Sequence, residues 1–349
     1  MLEALKKYEV MQPLVERCND AVLDVLGSSR IREAQIAAES FKNGGKRLRP
    51  MLMILSSMAS NGSHRGQVPT SLIELAAAVE LIHLATLFHD DVIDEVESRR
   101  MKMSARAKYG NFVSVLAGDY VLSEALLLVH QSGVHRSMPD FLKTIRILVS
   151  GESRETNHKF DFDMDEATYN DIISEKSASL FSLSCKAGGM TNRSERAPAL
   201  GQYGWHLGMA FQMIDDLDDM IGLTNGSMDC DLENGYFALP VIRVLNSLQD
   251  GHRERLVKLI QRGELTPDDE RMIVALCADH GGIRHTRDKI ESHLDRAREA
   301  IAEFDQNEGA EMLRSILTDL NTYCNGQISN FSDIVGPPTG DASIQRGAA

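Results

Sequence analysis

The sequence predicts an all-α protein, on two observations. Apolar residues recur every three or four positions through most of the 349-residue chain, and no segment shows the sustained alternation of a β-strand. Leucine, alanine and methionine, which favour helices, dominate the longest apolar segments. Hydrophobic residues make up 43% of the chain and no Pro-rich or Gly/Ser-rich linker divides it, so we expect one domain over residues 1–329 and a mobile tail over residues 330–349.

Charge and cysteine content narrow the class of protein. A formal net charge of -14 argues against nucleic acid or an anionic membrane surface as the main partner. The five cysteines are widely spaced without a C-x-x-C pair, which indicates reduced thiols rather than a disulfide framework or a zinc site. The amino terminus lacks a signal-peptide pattern and no apolar run approaches the length of a membrane span, so we expect a soluble, cytoplasmic protein with no transmembrane segment.

The first two segments predict a peripheral helix and a basic turn. Residues 3–27 carry apolar side chains along one helix face, and Pro13 kinks this helix or restarts it. In F-K-N-G-G-K-R-L-R-P, two glycines permit a tight turn, and Lys46, Arg47 and Arg49 follow at the start of the next helix. Cations beside free backbone N–H groups repel one another unless an anion lies between them, so the stretch is either a phosphate site or a solvated basic turn.

The next predicted helix ends in the acidic motif H-D-D-V-I-D-E. Its aspartates Asp90, Asp91 and Asp94 have the form D-D-x-x-D, which places the first and last one turn apart on one face, about 5 to 6 Å between Cβ atoms. Three basic side chains flank the motif, either as core or salt-bridge residues or as phosphate ligands: His83, Arg99 and Arg100.

A second D-D-x-x-D, formed by Asp215, Asp216 and Asp219 in F-Q-M-I-D-D-L-D-D, ends another apolar helix, and Gln212 lies on its face. One such motif in a chain with 51 acidic residues is most often a solvated helix face. Two motifs at the carboxyl ends of helices, where the dipole disfavours negative charge, indicate selection for something other than folding. Because Mg2+ takes carboxylate ligands and keeps sites open for substrate phosphates, the pair predicts a cation-assisted diphosphate site.

The remaining segments predict helices joined by short polar connections. Gly151 and the pair Gly188 and Gly189 are predicted to end helices, and Lys176 and Ser177 lie in the middle of one. The polar stretch from residue 223 to 235 is a candidate lid. The predicted helices span residues 71–94, 112–134, 139–150, 166–186, 194–222, 236–248, 252–262, 267–280, 283–305 and 308–323.

These motifs, in this order, resemble those of the trans-isoprenyl diphosphate synthase (polyprenyl synthetase) family. The match covers roughly residues 40–245 and includes G-G-K-R-L-R-P, E-L-I-H, H-D-D-V-I-D-E with the following R-R, L-A-G-D-Y, K-S-A, F-Q-M-I-D-D-L-D-D and L-P-V-I. The resemblance implies an antiparallel helical bundle of isoprenoid synthase type around a deep central cavity, usually a homodimer. It also implies Mg2+-dependent condensation of isopentenyl diphosphate with an allylic prenyl diphosphate, here by a longer-chain polyprenyl diphosphate synthase.

The resemblance implies roles for particular residues, in three groups. The metal ligands would be Asp90, Asp91, Asp94, Asp215, Asp216 and Asp219. Catalysis at the departing allylic diphosphate would use Asp90, Asp94 and Asp215 with Arg99 and Lys176, and Ser177 and Gln212 would also contact substrate. The separate isopentenyl diphosphate site would consist of Lys46, Arg49, His83 and Arg100.

Three positions depart from the family pattern. Where the family usually has basic residues after the second motif and near the carboxyl terminus, this chain has Gly226, Tyr236 and Gln327. Each lost charge-assisted contact should weaken diphosphate binding by roughly 1.5 to 3 kcal/mol. A terpene cyclase of the same fold and an impaired subunit of a heteromeric synthase therefore stay open as alternatives. The intact isopentenyl diphosphate set and the two complete acidic motifs favour the prenyl-elongating enzyme.

The helix upstream of Asp90 predicts product length. A chain anchored by its diphosphate would run back along this helix, whose pitch of about 5.4 Å is close to one isoprene unit. Short-chain members that share this spacing commonly carry a bulky aromatic one turn before the motif, where this chain has Thr86 and Ala85, followed upstream by Ile82 and Ala76–Ala78. We therefore expect a product longer than geranylgeranyl diphosphate.

Overall fold

The computed structural model describes residues 11–61, 68–99, 102–192, 194–224, 231–263 and 265–335. For Asn61, Arg99, 221–224, Asp250 and 330–335 it describes the backbone alone. The described residues are almost entirely helical, which confirms the all-α prediction. Their helices are α1 (Gln12–Gly27), α2 (Arg32–Lys42), α3 (Leu48–Asn61), α4 (Thr70–Ile93), α5 (Ala105–Tyr109), α6 (Asn111–Gln131), α7 (Met138–Asn157), α8 (Glu166–Ile173), α9 (Ser179–Thr191), α10 (Ala197–Thr224), α11 (Leu239–Ser247), α12 (Asp250–Gln261), α13 (Pro267–Asp279), α14 (Gly282–Ala300) and α15 (Glu308–Val335).

Short elements connect some of these helices. A small antiparallel ribbon of two strands follows α4, with two residues in each strand: β1 (Ser98–Arg99) and β2 (Lys102–Met103). A 3-10 turn, His135–Ser137, precedes α7, and a π-helical segment, Ser174–Ala178, joins α8 to α9.

The core is built on α3, α4, α9 and α10. Helix α4 packs on α6, α9 packs on both α3 and α10, and α10 also packs on α14. Leu72, Leu75 and Leu81 of α4 are fully buried, as are most of their helix neighbours up to the last turn. Both acidic motifs therefore lie near the carboxyl ends of core helices, and the packing of these helices determines the positions of the aspartates.

Two glycines predicted as helix ends are instead sites of close helix contact. Gly151 lies inside α7, and a Cβ there would come within 2.6 Å of the Lys176 backbone nitrogen. Gly188 lies inside α9, and a Cβ there would come within 2.2 Å of the Met53 carbonyl oxygen. The predictions that helices end at these residues are wrong, because each glycine gives room for a neighbouring backbone while the helix continues to Asn157 or Thr191.

Among the described residues, two helices are long and apolar enough to span a membrane, contrary to the sequence expectation. They are α4 and α6, whose most apolar stretches are 72% and 44% buried inside the protein. Such burial of α4 is typical of a core helix in a soluble protein.

The carboxyl-terminal helix α15 continues to Val335, beyond the predicted start of the tail at residue 330. Residues 336–349 and residues 225–230 of the predicted lid lie outside the described residues. The cysteines Cys18, Cys185, Cys277 and Cys324 are free and buried, and Cys230 also lies outside the described residues.

Candidate active site

Both acidic motifs reach one cavity of about 660 Å³. Asp94, which follows the last residue of α4, lies on one wall, and Asp216 and Asp219 of α10 lie on another. Three further predicted site residues line the same cavity: Lys176, Ser177 and Gln212. The fold thus brings together side chains from three distant parts of the chain.

Lys176 lies in the π-helical segment, a rare backbone form that is frequent at functional sites. Its Nζ contacts the carboxylates of Glu152, at 3.1 Å, and Glu155. Burial alone would lower the pKa of Lys176, but the negative charges of Glu155, Glu152 and Asp90 together raise it. The side chain is therefore a positively charged group beside the first acidic motif.

Asp216 is oriented by hydrogen bonds to both of its oxygens. The Tyr169 hydroxyl donates to Oδ2 at 2.5 Å, and Gln212 Nε2 donates to Oδ1 at 2.9 Å. The Ser177 hydroxyl in turn donates to Gln212 Oε1 at 2.6 Å. Burial raises the pKa of Asp216 to about 7, although the hydrogen bonds from Tyr169 and Gln212 lower it. Asp216 is thus tied to the protein on both oxygens.

Asp215 and Asp219 carry charge that the protein neutralises only in part. Burial raises the pKa of Asp219 to about 7, and the charges of Asp231, Asp215 and Asp216 add to this shift. Burial likewise raises the pKa of Asp215, against the attraction of nearby cations. The second motif is therefore an acidic cluster whose charged form a bound cation would stabilise.

The donor set fits a cation that takes few protein ligands. Within the described ranges, no three histidine, cysteine, aspartate or glutamate side chains converge closely enough to hold one ion by themselves. Mg2+ is commonly held by one or two carboxylates and completes its shell with water and substrate phosphates. The carboxylates of Asp94 and Asp219, facing one cavity, match that requirement.

Lys46 and Arg49 lie against a pair of aromatic rings near Asp215. Lys46 Nζ is 5.3 Å from the ring centre of Phe211, and the Arg49 guanidinium carbon is 4.8 Å from that of Phe181. The enclosed Nε of Arg49 has no hydrogen-bond partner among the described residues. Burial lowers the pKa of Arg49, and the charge of Asp215 opposes this. An enclosed guanidinium donor without an acceptor is costly, so the site suits an anionic ligand.

The other basic residue of this turn, Arg47, makes hydrogen bonds within the protein. It donates to Glu80 and to the backbone oxygen of Phe41, both at 2.8 Å. With His83 and Asp91 it lines a separate pocket of about 70 Å³. The structure therefore separates Asp91 and His83 from the large cavity, and their metal and substrate roles stay predictions.

Two of the positions that depart from the family pattern bind aspartates. The Tyr236 hydroxyl donates to Asp94 Oδ1. Gln327 Nε2 donates to Asp218 Oδ1 at 2.9 Å, and the Tyr323 hydroxyl donates to the other oxygen at 2.8 Å. Gly226 and Arg100 lie outside the described residues, and only the backbone of Arg99 is described.

The cavity also contains residues that sequence reasoning missed. Glu155, Tyr169 and Asp231 line it, and the one available signal was the spacing of Glu152 and Glu155, one helix turn apart. The predicted tunnel wall does not line it, since Ala85 and Ile82 are packed at 2% and 1% exposure. The apolar part of the wall is instead formed by Met164, Ile172, Ile173, Met220, Val241 and Ile273.

Comparison with known proteins agrees with this fold. The family model for polyprenyl synthetase matches residues 33–277. The octaprenyl diphosphate synthase of Escherichia coli (strain K12) is 31% identical over 291 residues, which cover 81% of this chain and 87% of that protein. A decaprenyl diphosphate synthase from Rhodobacter capsulatus superposes with a TM-score of 0.84 at 28% identity, covering 93% of this chain and 99% of that one. A polyprenyl synthase from Caulobacter crescentus, complexed with calcium and isoprenyl diphosphate, gives a TM-score of 0.82 at 29% identity, covering 92% and 97%.

Proposed function

Since this chain belongs to the polyprenyl synthetase family and is a trans-prenyltransferase, we propose that it condenses isopentenyl diphosphate with an allylic prenyl diphosphate in the presence of Mg2+. The product would be a longer trans-polyprenyl diphosphate, as the names of the octaprenyl and decaprenyl relatives suggest. The observation that carries the proposal is that both acidic motifs line one cavity together with Lys176.

Asp90, Asp94, Asp215 and Asp219 would hold Mg2+. Asp215 and Asp219 repel one another without a cation, and a Mg2+ ion held by few carboxylates keeps coordination sites for a diphosphate. Bound there, Mg2+ supplies positive charge that stabilises the departing diphosphate. Asp91 and Asp216 remain predicted ligands, and the hydrogen bonds from Tyr169 and Gln212 would orient the Asp216 carboxylate.

Lys176 would bind the allylic diphosphate. Its ammonium, kept charged by Glu152 and Glu155, offers donors to the oxygens that gain negative charge as the allylic C–O bond breaks. Arg99 is predicted to add a second cation at this place. The hydrocarbon side chains of Ile172 and Val241 present no nucleophile to the allylic carbocation, so this part of the wall would not trap it before the second substrate attacks.

Lys46 and Arg49 would bind isopentenyl diphosphate, with His83 and Arg100 as predicted partners. Arg49 Nε, which has no acceptor within the described part of the chain, would gain one when a diphosphate oxygen lies beside it. The double bond of isopentenyl diphosphate then attacks the allylic carbon, and the new C–C bond leaves a carbocation on the former isopentenyl unit. Loss of a proton from that unit to the departing diphosphate completes the reaction, so no protein nucleophile is required.

We further propose that the enzyme is a soluble, cytoplasmic homodimer. Apolar side chains spaced by multiples of a helix turn are exposed on α6 and α7, including Phe112 at 76% and Val149 at 65%, with Leu127 and Leu142. A second copy of the chain would cover such a face. Analytical ultracentrifugation of the wild type should show a dimer, and Phe112→Asp should shift it toward monomer. A monomeric wild-type protein would contradict the proposed homodimer and leave the proposed activity untouched.

The test of the activity is product analysis. The purified protein is incubated with Mg2+, isopentenyl diphosphate and each allylic primer in turn, and the products are identified by mass spectrometry. We expect diphosphates lengthened by whole isoprene units, and none when EDTA removes the metal. Cyclic hydrocarbons formed without isopentenyl diphosphate would indicate a terpene cyclase, and no product without a partner protein would indicate a heteromeric subunit.

A further inference from the structure

Tyr236 joins two walls of the cavity. It lies in the connection between α10 and α11, and its hydroxyl donates a hydrogen bond to Asp94 at the end of α4. A tyrosine hydroxyl carries its proton at neutral pH and a carboxylate only accepts, so Tyr236 is the donor in this hydrogen bond.

The backbone of Tyr236 is fixed without help from Asp94. The Tyr236 N–H donates to the Asp231 carbonyl at 2.8 Å, and Gly235 turns the chain with a φ of +85°. The Phe160 N–H donates to the Gly235 carbonyl at 2.9 Å, and a Cβ on Gly235 would come within 2.6 Å of the Phe160 ring. Because this turn is held by the α7–α8 connection, the hydroxyl is presented to Asp94 by a structured loop.

Further contacts anchor the α7–α8 connection. The rings of Phe162 and Phe237 lie 5.1 Å apart, and Arg253 donates to the Phe162 carbonyl at 2.8 Å. Lys159 Nζ, in the same connection, lies 4.9 Å from the ring centre of Tyr236, which adds a cation–π contact. The α7–α8 connection therefore holds both the turn at Gly235 and the ring of Tyr236.

We propose that Tyr236 is a positioning residue for Asp94. By holding one carboxylate oxygen it fixes the plane of the carboxylate and leaves the other oxygen for a divalent cation bound with a diphosphate. Hydrogen bonds of this kind orient ligating groups, and their loss typically lowers metal affinity about 10-fold to 100-fold. The inference rests on the proposed function to the extent that a cation binds at Asp94.

Tyr236→Phe tests this role, because it removes the hydroxyl and keeps the ring that contacts Lys159. Mn2+ binding to the full-length protein is measured by electron paramagnetic resonance with inorganic diphosphate as the probe anion. We expect the Kd for Mn2+ to rise about tenfold. The matched control is Tyr109→Phe, which removes a hydroxyl that lies 3.2 Å from Glu39 outside the cavity and should leave the Kd unchanged.

The activity assay gives a second readout. In Tyr236→Phe the Mg2+ concentration for half-maximal turnover should rise, while the KM for isopentenyl diphosphate stays near the wild-type value. A Kd for Mn2+ within about twofold of the wild type, with or without lowered thermal stability, would overturn the role in metal binding. If the wild type binds Mn2+ and the variant binds it weakly, yet neither forms a prenyl product, the positioning role stands and the proposed function fails.

Discussion

Replacing Asp219 by asparagine should stabilise the metal-free protein and weaken its response to Mg2+. In the folded chain, burial and the charges of Asp231 and Asp215 raise the pKa of this carboxyl from 3.8 to about 7. In the unfolded chain it loses its proton near its ordinary value. Between about pH 4 and about pH 7 the carboxyl is ionised in the unfolded state and still protonated in the folded state. The free energy of unfolding therefore falls as pH rises through this range.

The size of the effect follows from the pKa shift. Each pKa unit corresponds to about 1.4 kcal/mol, so the shift sets an upper limit of about 4 kcal/mol above neutral pH. The side chain of Asp219 remains exposed to solvent, which screens the repulsion, so we expect Asp219→Asn to gain at most about 1 kcal/mol in free energy of unfolding. Asparagine has no charge to bury, and it cannot give a cation the carboxylate that Asp219 gives.

Urea unfolding in EDTA at pH 8 measures this gain, and a repeat with Mg2+ and inorganic diphosphate measures the metal response. The wild type should gain stability from the ligands, and the variant should gain less. Asp218→Asn is the matched control, because Asp218 accepts hydrogen bonds from Tyr323 and Gln327 and its replacement should not stabilise. A metal-free Asp219→Asn protein that is no more stable than the wild type would refute the repulsion argument.

Three further predictions concern turnover, substrate affinity and product length. Asp90→Ala or Asp215→Ala should lower turnover by several orders of magnitude with an unchanged circular dichroism spectrum, and near-normal turnover would contradict the metal assignment. Lys46→Ala should mainly raise the KM for isopentenyl diphosphate, and a selective effect on the allylic substrate in steady-state kinetics would reverse the assignment. Because Ala85 is buried and does not line the large cavity, Ala85→Phe should cost about 1 to 3 kcal/mol of stability and leave the chain-length distribution unchanged. A shortened product would show that the hydrocarbon runs along α4, as the sequence alone predicted.

The helices were predictable because their periodic apolar faces are local signals. The sequence did not show whether a given glycine ends a helix or allows another backbone to pack closely against it. Gly281 has a φ of +71° and stands between α13 and α14, as a glycine at a helix end does. Gly151 and Gly188 look the same in sequence, yet they lie inside helices and admit a neighbouring backbone. The difference depends on which element packs against the glycine, and that is set by the tertiary fold.

The site was predictable where it follows helix spacing. Asp90 and Asp94, four residues apart, lie on one face, whereas the adjacent Asp91 points around the helix and lines the small pocket. Tyr169 donates its hydrogen bond to Asp216 because α8 packs close to α10. The sequence carried no signal that these two helices are neighbours. For Tyr236 the sequence indicated only a missing cation, and the fold reveals the hydrogen bond to Asp94.

The most direct test of the shared diphosphate site is a crystal structure with Mn2+ and an unreactive thio-analogue of an allylic diphosphate. Anomalous scattering locates the metal independently of the protein. The account predicts Mn2+ in the large cavity, between Asp94 and Asp219, with the diphosphate beside Lys176. Mn2+ in the small pocket beside Asp91, or a diphosphate bound away from both acidic motifs, would contradict it.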